Sequence, residues 1–250
     1  MGSETSISWT THTHNPWIGC TKVSDGCEHC YAETLNHRWG NDNWGKGKPR
    51  RVTSDANWKQ PLRWDKEAYS LGRKDKVFCA SLADVMDDEA PAGQRERLWE
   101  LIDNTPNLIW QLLTKRPQRY MRYLPKEFKY CNVWLGMSAE NQENFEIRAD
   151  HLIDASVDRG TVAFISYEPA LGPLTLRTRP NWQLDWLICG AESGANRRPM
   201  EKLWVESIQK ECAERGTKFF MKQFGARTPE EGARLIPAEL LIREFPEVSA

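Results

Sequence analysis

Three thiols fall within eleven residues of this chain, in the stretch Asn15 to Tyr31, which reads NPWIGCTKVSDGCEHCY and sets Cys20, Cys27 and Cys30 in a C-x6-C-x2-C arrangement. Thiolates bind zinc and iron–sulfur clusters, and Gly19 and Gly26 give the loop the backbone freedom to turn its sulfurs inward. A structural zinc site takes four ligands, so His12, His14, His29 or His37 would have to complete it. A 4Fe-4S cluster on three thiolates instead keeps one iron open to an outside ligand, as catalytic sites do. Three thiols and no obvious fourth favour the open cluster. The other cysteines, Cys79, Cys131, Cys189 and Cys212, lie in or beside apolar runs and read as core. Seven cysteines, an odd number, do not make a disulfide framework, and thiols in a reducing compartment are expected.

Such a loop needs elements to hold it. Short apolar runs recur about every thirty residues: Val77 to Ala80, Leu108 to Leu113, Val133 to Met137, Val162 to Ile165, Trp186 to Cys189 and Lys218 to Met221. Nearly continuous runs bounded by turn residues are what strands buried on both faces require. Between them, Leu98, Leu101 and Ile102, then Phe145, Leu152 and Ile153, then Leu203, Trp204, Ile208 and Cys212 carry helical spacing. Ile7 to Thr10 reads as the first strand and Tyr31 to Arg38 as the first helix. The fold expected is α/β, one parallel (β/α) barrel over 1–250, partial or irregular, with an open doubly wound sheet as the competitor. Residues 40–64 read as an insertion and those from about 226 as an irregular tail.

In either architecture chemistry belongs beyond the carboxyl ends of the strands. Those ends carry Ser81 and Asp84, Lys115, Ser138 and Glu140, Glu168, Glu192 and Ser193, and Lys222 and Gln223. Glu168 precedes Pro169, and Glu192 lies in Gly190-Ala191-Glu192-Ser193-Gly194, so each carboxylate is displayed on a constrained turn. Cationic residues of the same loops, Lys115, Arg197 and Lys222, suit a phosphate or carboxylate, while Arg116 and Arg198 read equally as a solvated rim. A net charge of -1 excludes a general nucleic-acid footprint, so any nucleotide contact must be local. No apolar run is long enough to span a membrane, and no secretory h-region opens the chain, so a cytoplasmic protein is expected.

At the cysteine loop the chain resembles the radical S-adenosylmethionine enzymes, where three cysteines after the first barrel strand hold a 4Fe-4S cluster and an aromatic residue, here Tyr31, often follows the last. The six-residue first gap departs from the common C-x3-C-x2-C. NPWIGC, GCEHCYA, LLTKRP (112–117), VWLGMSAEN (133–141), SYEPALGPL (166–174), CGAESG (189–194) and FFMKQFG (219–225) are similar to a phage- and prophage-associated three-cysteine family of radical-S-adenosylmethionine-like proteins. The resemblance implies a 4Fe-4S cluster on Cys20, Cys27 and Cys30, S-adenosylmethionine as cofactor, an external electron donor, and a 5'-deoxyadenosyl radical that abstracts hydrogen from substrate. It implies cofactor contacts at Tyr31, Ser81, Asp84, Ser138, Glu140 and Ser193, with Ser81 and Asp84 standing where relatives have an acidic G-G-E-like motif. Glu168, Glu192 and Lys222 would serve the reaction, with Glu168 and Glu192 open equally to the ribose or amine of the cofactor or to a polar substrate, and Lys115, Arg197 and Gln223 would serve the substrate. By analogy the substrate is a nucleotide or DNA base, modified or rearranged as by a mutase, in the host cytoplasm if phage-encoded.

Twelve tryptophans are many, and Trp39, Trp44, Trp58 and Trp64 alternate with the basic Lys46, Lys48, Arg50 and Arg51. They read either as core or as a base-stacking surface. The alternative function is a zinc protein without radical chemistry, using the three cysteines and one histidine at a nucleic-acid-binding surface.

Overall fold

The computed structural model describes residues 5–126, 132–176 and 182–247. Cys131 lies outside the described residues. In chain order the elements are β1 (His12–His14), β2 (Trp17–Ile18), a 3-10 turn (Asp25–Cys27), α1 (Tyr31–Arg38), β3 (Arg51–Val52), α2 (Asp55–Trp58), α3 (Gln60–Ser70), β4 (Asp75–Cys79) and α4 (Gln94–Asp103). Then follow β5 (Leu108–Thr114), α5 (Tyr120–Tyr123), β6 (Val133–Ser138), α6 (Gln142–Arg159), β7 (Ala163–Tyr167), β8 (Trp186–Gly190), α7 (Lys202–Arg215), β9 (Lys218–Gln223) and α8 (Pro229–Arg234).

Seven of the strands lie in one sheet in the order β1-β4-β5-β6-β7-β8-β9, which is that of a partial parallel (β/α) barrel. All of β6, β7 and β8 is buried, which explains why these strands read as unbroken apolar runs without alternation. The helices between them are bounded as their sequences dictate. Asn141 caps α6 by accepting from the Asn144 amide at 3.0 Å, and Gly160 ends that helix at φ 62, a left-handed conformation that glycine adopts without strain.

The first strand is not where the apolar pattern puts it. Residues 7–10 turn, with the Thr10 amide bonded to the Ile7 carbonyl at 3.3 Å, and His12, Thr13 and His14 pair instead with Val77, Phe78 and Cys79. Two histidines can occupy a buried strand here because tryptophans cover them. The His12 ring stacks on Trp64 with centroids 4.3 Å apart, and His14 meets Trp58 and Trp110 edge-on at 5.3 and 5.6 Å. Burial, with Arg97 adding to it, pushes His14 down to about 3, so it stays neutral.

The chain divides into two compact units. The first takes in Met1–Val23 and Cys30–Trp134, the second Ser24–His29 and Leu135–Ala250. In the first, Trp58, Trp64, Leu98, Ile102, Trp110 and Leu112 are buried, and β2 pairs antiparallel with β3. In the second, α6 and α7 bury Phe145, Leu152, Val205 and Ile208, and Phe164 and Trp186 are fully covered. Gly136 makes this packing possible, since a Cβ there would stand 2.2 Å from the Phe164 ring. The tail is fixed to β9 by Ile242 and Glu244, whose backbones bond to Met221 and Phe219. No helix among the described residues is long and apolar enough to cross a membrane.

Candidate functional site

Two of the three thiols are placed by the first unit. Asn15, directly after β1, accepts from the Leu82 amide at 2.7 Å and donates to the Ser81 hydroxyl at 3.0 Å, and the Gly19 amide bonds to the Leu82 carbonyl at 3.0 Å. The segment leading to Cys20 is thereby laced to the residues that follow β4. Gly19 is required there: its φ is +121, and a Cβ would sit 2.4 Å from the Asn43 carbonyl. Cys20 and Cys30 both pack against one small apolar cluster of Ile18, Ala32 and Trp44, joined by Leu82. Tyr31 opens α1 with its ring exposed and its hydroxyl on the Ser81 carbonyl at 2.7 Å.

Behind Cys20 stands a buried ionic network. Arg116 donates to Asp84 at 2.6 Å, to the Thr21 carbonyl at 2.7 Å and to Cys20 Sγ at 3.7 Å. The other Asp84 oxygen accepts from the Thr114 hydroxyl at 2.7 Å and the Met86 amide at 2.9 Å. Arg50 holds the Thr21 hydroxyl and Glu89, each at 2.6 Å, and Asp87 at 2.9 Å. Burial, with Asp84 adding to it, pushes the Cys20 thiol up to about 12 against the opposing pull of Arg116. Lys115 follows β5, its amide facing Asp84 at 3.4 Å.

The second unit holds the turn that carries Cys27. Ser24 donates to Glu140 at 2.6 Å, and Arg148 donates to the other Glu140 oxygen and to the Ser138 carbonyl, both at 2.8 Å. A Cβ on Gly26 would meet Glu140 at 2.3 Å, so the turn lies directly on this carboxylate. Glu192 accepts from the Arg198 amide at 2.8 Å, from its guanidinium, and from His29 at 3.1 Å. Arg198 also reaches Glu28 at 3.1 Å and the Asp25 carbonyl at 2.9 Å. Burial works to raise the Glu192 carboxyl, but the hydrogen bonds from Arg198 and His29 outweigh it and hold it below the ordinary value.

At the ends of β7 and β9, Glu168 and Lys222 form an ion pair beside Gly190. Gln223 donates to the Ser193 hydroxyl at 2.7 Å and to the Ala191 carbonyl at 3.0 Å, which ties those two residues to each other. Arg197 is exposed, and with Arg198, Met200, Lys202, Phe224 and Leu235 it lines an open cleft of about 680 Å³.

Several sequence readings change in this light. Asp84, Glu140 and Ser138 are buried and engaged with the protein's own groups, which makes them framework more than open ligand contacts. His12 and His14 are shut into β1, away from the role of a fourth zinc ligand. Trp44, Trp58, Trp64 and Arg50 are buried and present no stacking surface, whereas Trp39 is exposed. Arg116 and Arg198 are not a solvated rim. Arg148 escaped notice, although its place among Phe145, Ala149 and Leu152 on the apolar stripe of α6 was a signal that it faces inward. So did Gln111, a polar residue in the middle of β5, fully buried with neither amide atom hydrogen-bonded.

Among the described residues no three His, Cys, Asp or Glu side chains are gathered to hold a metal ion. The donor chemistry nevertheless fits an iron–sulfur centre. Cys20, Cys27 and Cys30 form no disulfide and are partly accessible, and a guanidinium faces one of the sulfurs.

The fold is shared with spore photoproduct lyase. A mutant of that enzyme superposes with a TM-score of 0.54 at 10% identity, over 91% of this chain and 79% of that one. Another, with bound AdoMet and dinucleoside spore photoproduct, gives 0.45 at 12% identity, and there the match spans 85% of this chain and 56% of the lyase. A radical SAM methyltransferase from Sphaerobacter thermophilus gives 0.49 at 12% identity, covering 88% and 68%. The first of these likenesses, together with the strand order, defines the protein as a partial (β/α) barrel. No curated protein matches the chain. Residues 4–242 match the family described as "Protein of unknown function (DUF5131)", and the chain belongs to it.

Proposed function

We propose that the protein is a radical S-adenosylmethionine enzyme whose Cys20, Cys27 and Cys30 bind a 4Fe-4S cluster. The observation that carries this reading is the loop after β1: three cysteines outside any disulfide, two of them packed on one apolar cluster, with Arg116 aimed at the Cys20 sulfur. The shared fold supports it. When bound, the cluster would supply one electron to break the sulfonium C–S bond of S-adenosylmethionine, and the hydrogen atom that completes 5'-deoxyadenosine would come from substrate.

The chain's own residues have the following parts in this reading. Tyr31 and Ser81, joined through the tyrosine hydroxyl, border the thiols of the first unit and present polar groups to the cofactor. Glu140 and the Glu192–Arg198 pair hold the turn carrying Cys27. Glu168 and Lys222, held against each other at the strand ends, are the acid–base pair of this reading, and Gln223 orients Ser193.

The substrate class in this reading is a nucleotide or DNA base. It is supported by Arg197 on a cleft lined by Arg198, Lys202 and Phe224, where cations suit phosphate and an aromatic ring suits a base. A phage setting, a cytoplasmic location and a mutase-type outcome are parts of the same proposal. Anaerobic reconstitution tests it. The wild-type protein should turn brown, absorb broadly near roughly 400 nm and hold about four irons per chain, with most of that iron lost in Cys27→Ala. A colourless protein carrying stoichiometric zinc would overturn it.

A further inference from the structure

Arg116 follows β5 directly and is 3% exposed. Its guanidinium has no freedom to swing away. Asp84 fixes one side at 2.6 Å, the Thr21 carbonyl fixes the other at 2.7 Å, and Asp84 is itself locked by Thr114 and Met86. In this setting Nη1, the nitrogen that binds Asp84, also points at Cys20 Sγ from 3.7 Å, within range for a donor to sulfur. Arg50 holds the adjacent Thr21 hydroxyl from a separate direction and makes no such contact with the sulfur.

We infer that Arg116 is a positioning residue that sets the reduction potential of the centre held by Cys20. This rests on the cluster reading given above. A charged N–H donor to a ligand sulfur stabilises the more negative, reduced state, because the electron added to the cluster raises the charge that the donor sees. Asp84 works in the opposite direction, since its negative charge lies behind the same donor and disfavours reduction. Hydrogen bonding and local charge are thus the two levers, and they have opposite signs at adjacent residues.

The test is a dithionite titration of the reconstituted protein, followed by electron paramagnetic resonance, with iron content measured on the same samples. Arg116→Met should move the midpoint to a more negative value, and Arg116→Lys, which keeps the charge without the planar fork, should move it less. Asp84→Asn should move it to a more positive value. Arg50→Lys keeps the charge and loosens Thr21, Glu89 and Asp87, none of which donates to the sulfur, and should leave it in place. Should Arg116→Met fail to fold, the opposite shifts of Arg116→Lys and Asp84→Asn decide the matter. A midpoint unchanged in both of these at full iron loading overturns the inference, as does lowered iron content with no shift in the loaded fraction. A wild-type protein that takes up no iron removes the cluster reading and this inference with it, whereas an unchanged midpoint removes this inference alone.

Discussion

Glu140 exposes no surface to solvent, yet its two oxygens are committed to different elements, one to Ser24 beside the turn carrying Cys27 and one to Arg148 on α6. Removing one partner from a buried ion pair is more damaging than the pair is stabilising, because the survivor keeps its charge without compensation. Glu140→Ala should therefore lower unfolding stability by about 3–5 kcal/mol in a urea titration, and a loss under about 1 kcal/mol would show that Arg148 finds other partners. Gly26→Ala makes a narrower demand. It pushes a methyl group into Glu140 and should reduce iron uptake in reconstitution while leaving far-UV circular dichroism unchanged; full iron uptake would show that the turn can shift. At this scale the sequence displays groups by type and spacing, as with the three cysteines, whose role is the proposal made above. It was not legible where a role depends on a distant partner. Ser24 and Glu140 are 116 residues apart, and Cys20 and Arg116 are 96 apart, so no local pattern shows that these carboxylates and guanidinia serve one another.

Among the elements, β4 through β9 of the main sheet fall within a residue or two of the apolar runs, since strands covered on both faces leave a continuous hydrophobic signature. The exception is β1, where a three-residue strand built from two histidines has no apolar signature at all. Its stability comes from tryptophans that arrive from α2, α3 and β5. This arrangement has a consequence in pH. His14 is neutral in the fold down to about 3 but takes up a proton near 6.5 when unfolded, so the unfolded state binds the extra proton between those values. The stability His14 contributes is complete above 6.5 and is lost progressively as pH falls toward 3. The slope it adds is at most about 1.4 kcal/mol per pH unit. His14→Phe should flatten the stability profile between pH 4 and 6.5 in denaturant titrations, and an unchanged slope would place the linked proton elsewhere. In the second unit, Gly136→Ala sets a methyl group against the buried Phe164 ring and should destabilise by roughly 1–3 kcal/mol; a neutral result would mean that β6 and β7 can separate slightly.

For the molecule as a whole, the parallel order of strands follows from covered apolar runs and helical spacers, and a shared fold at 10% identity shows that this logic survives almost complete replacement of the sequence. Fold alone does not confer an activity, because function resides in the groups displayed at the strand ends. The groups proposed to act here are the thiol loop, the Glu168–Lys222 pair and the Arg197 cleft, and all that is proposed for them rests on the thiols binding iron. The most direct measurement is 5'-deoxyadenosine released from S-adenosylmethionine by the anaerobically reconstituted, reduced protein, beside Cys27→Ala at equal concentration. Release by the wild type, with at least a hundredfold less from the variant (roughly the loss expected when a cofactor ligand is removed), is the expected result. Equal release from both, or none from a wild type shown to hold its cluster, would contradict it.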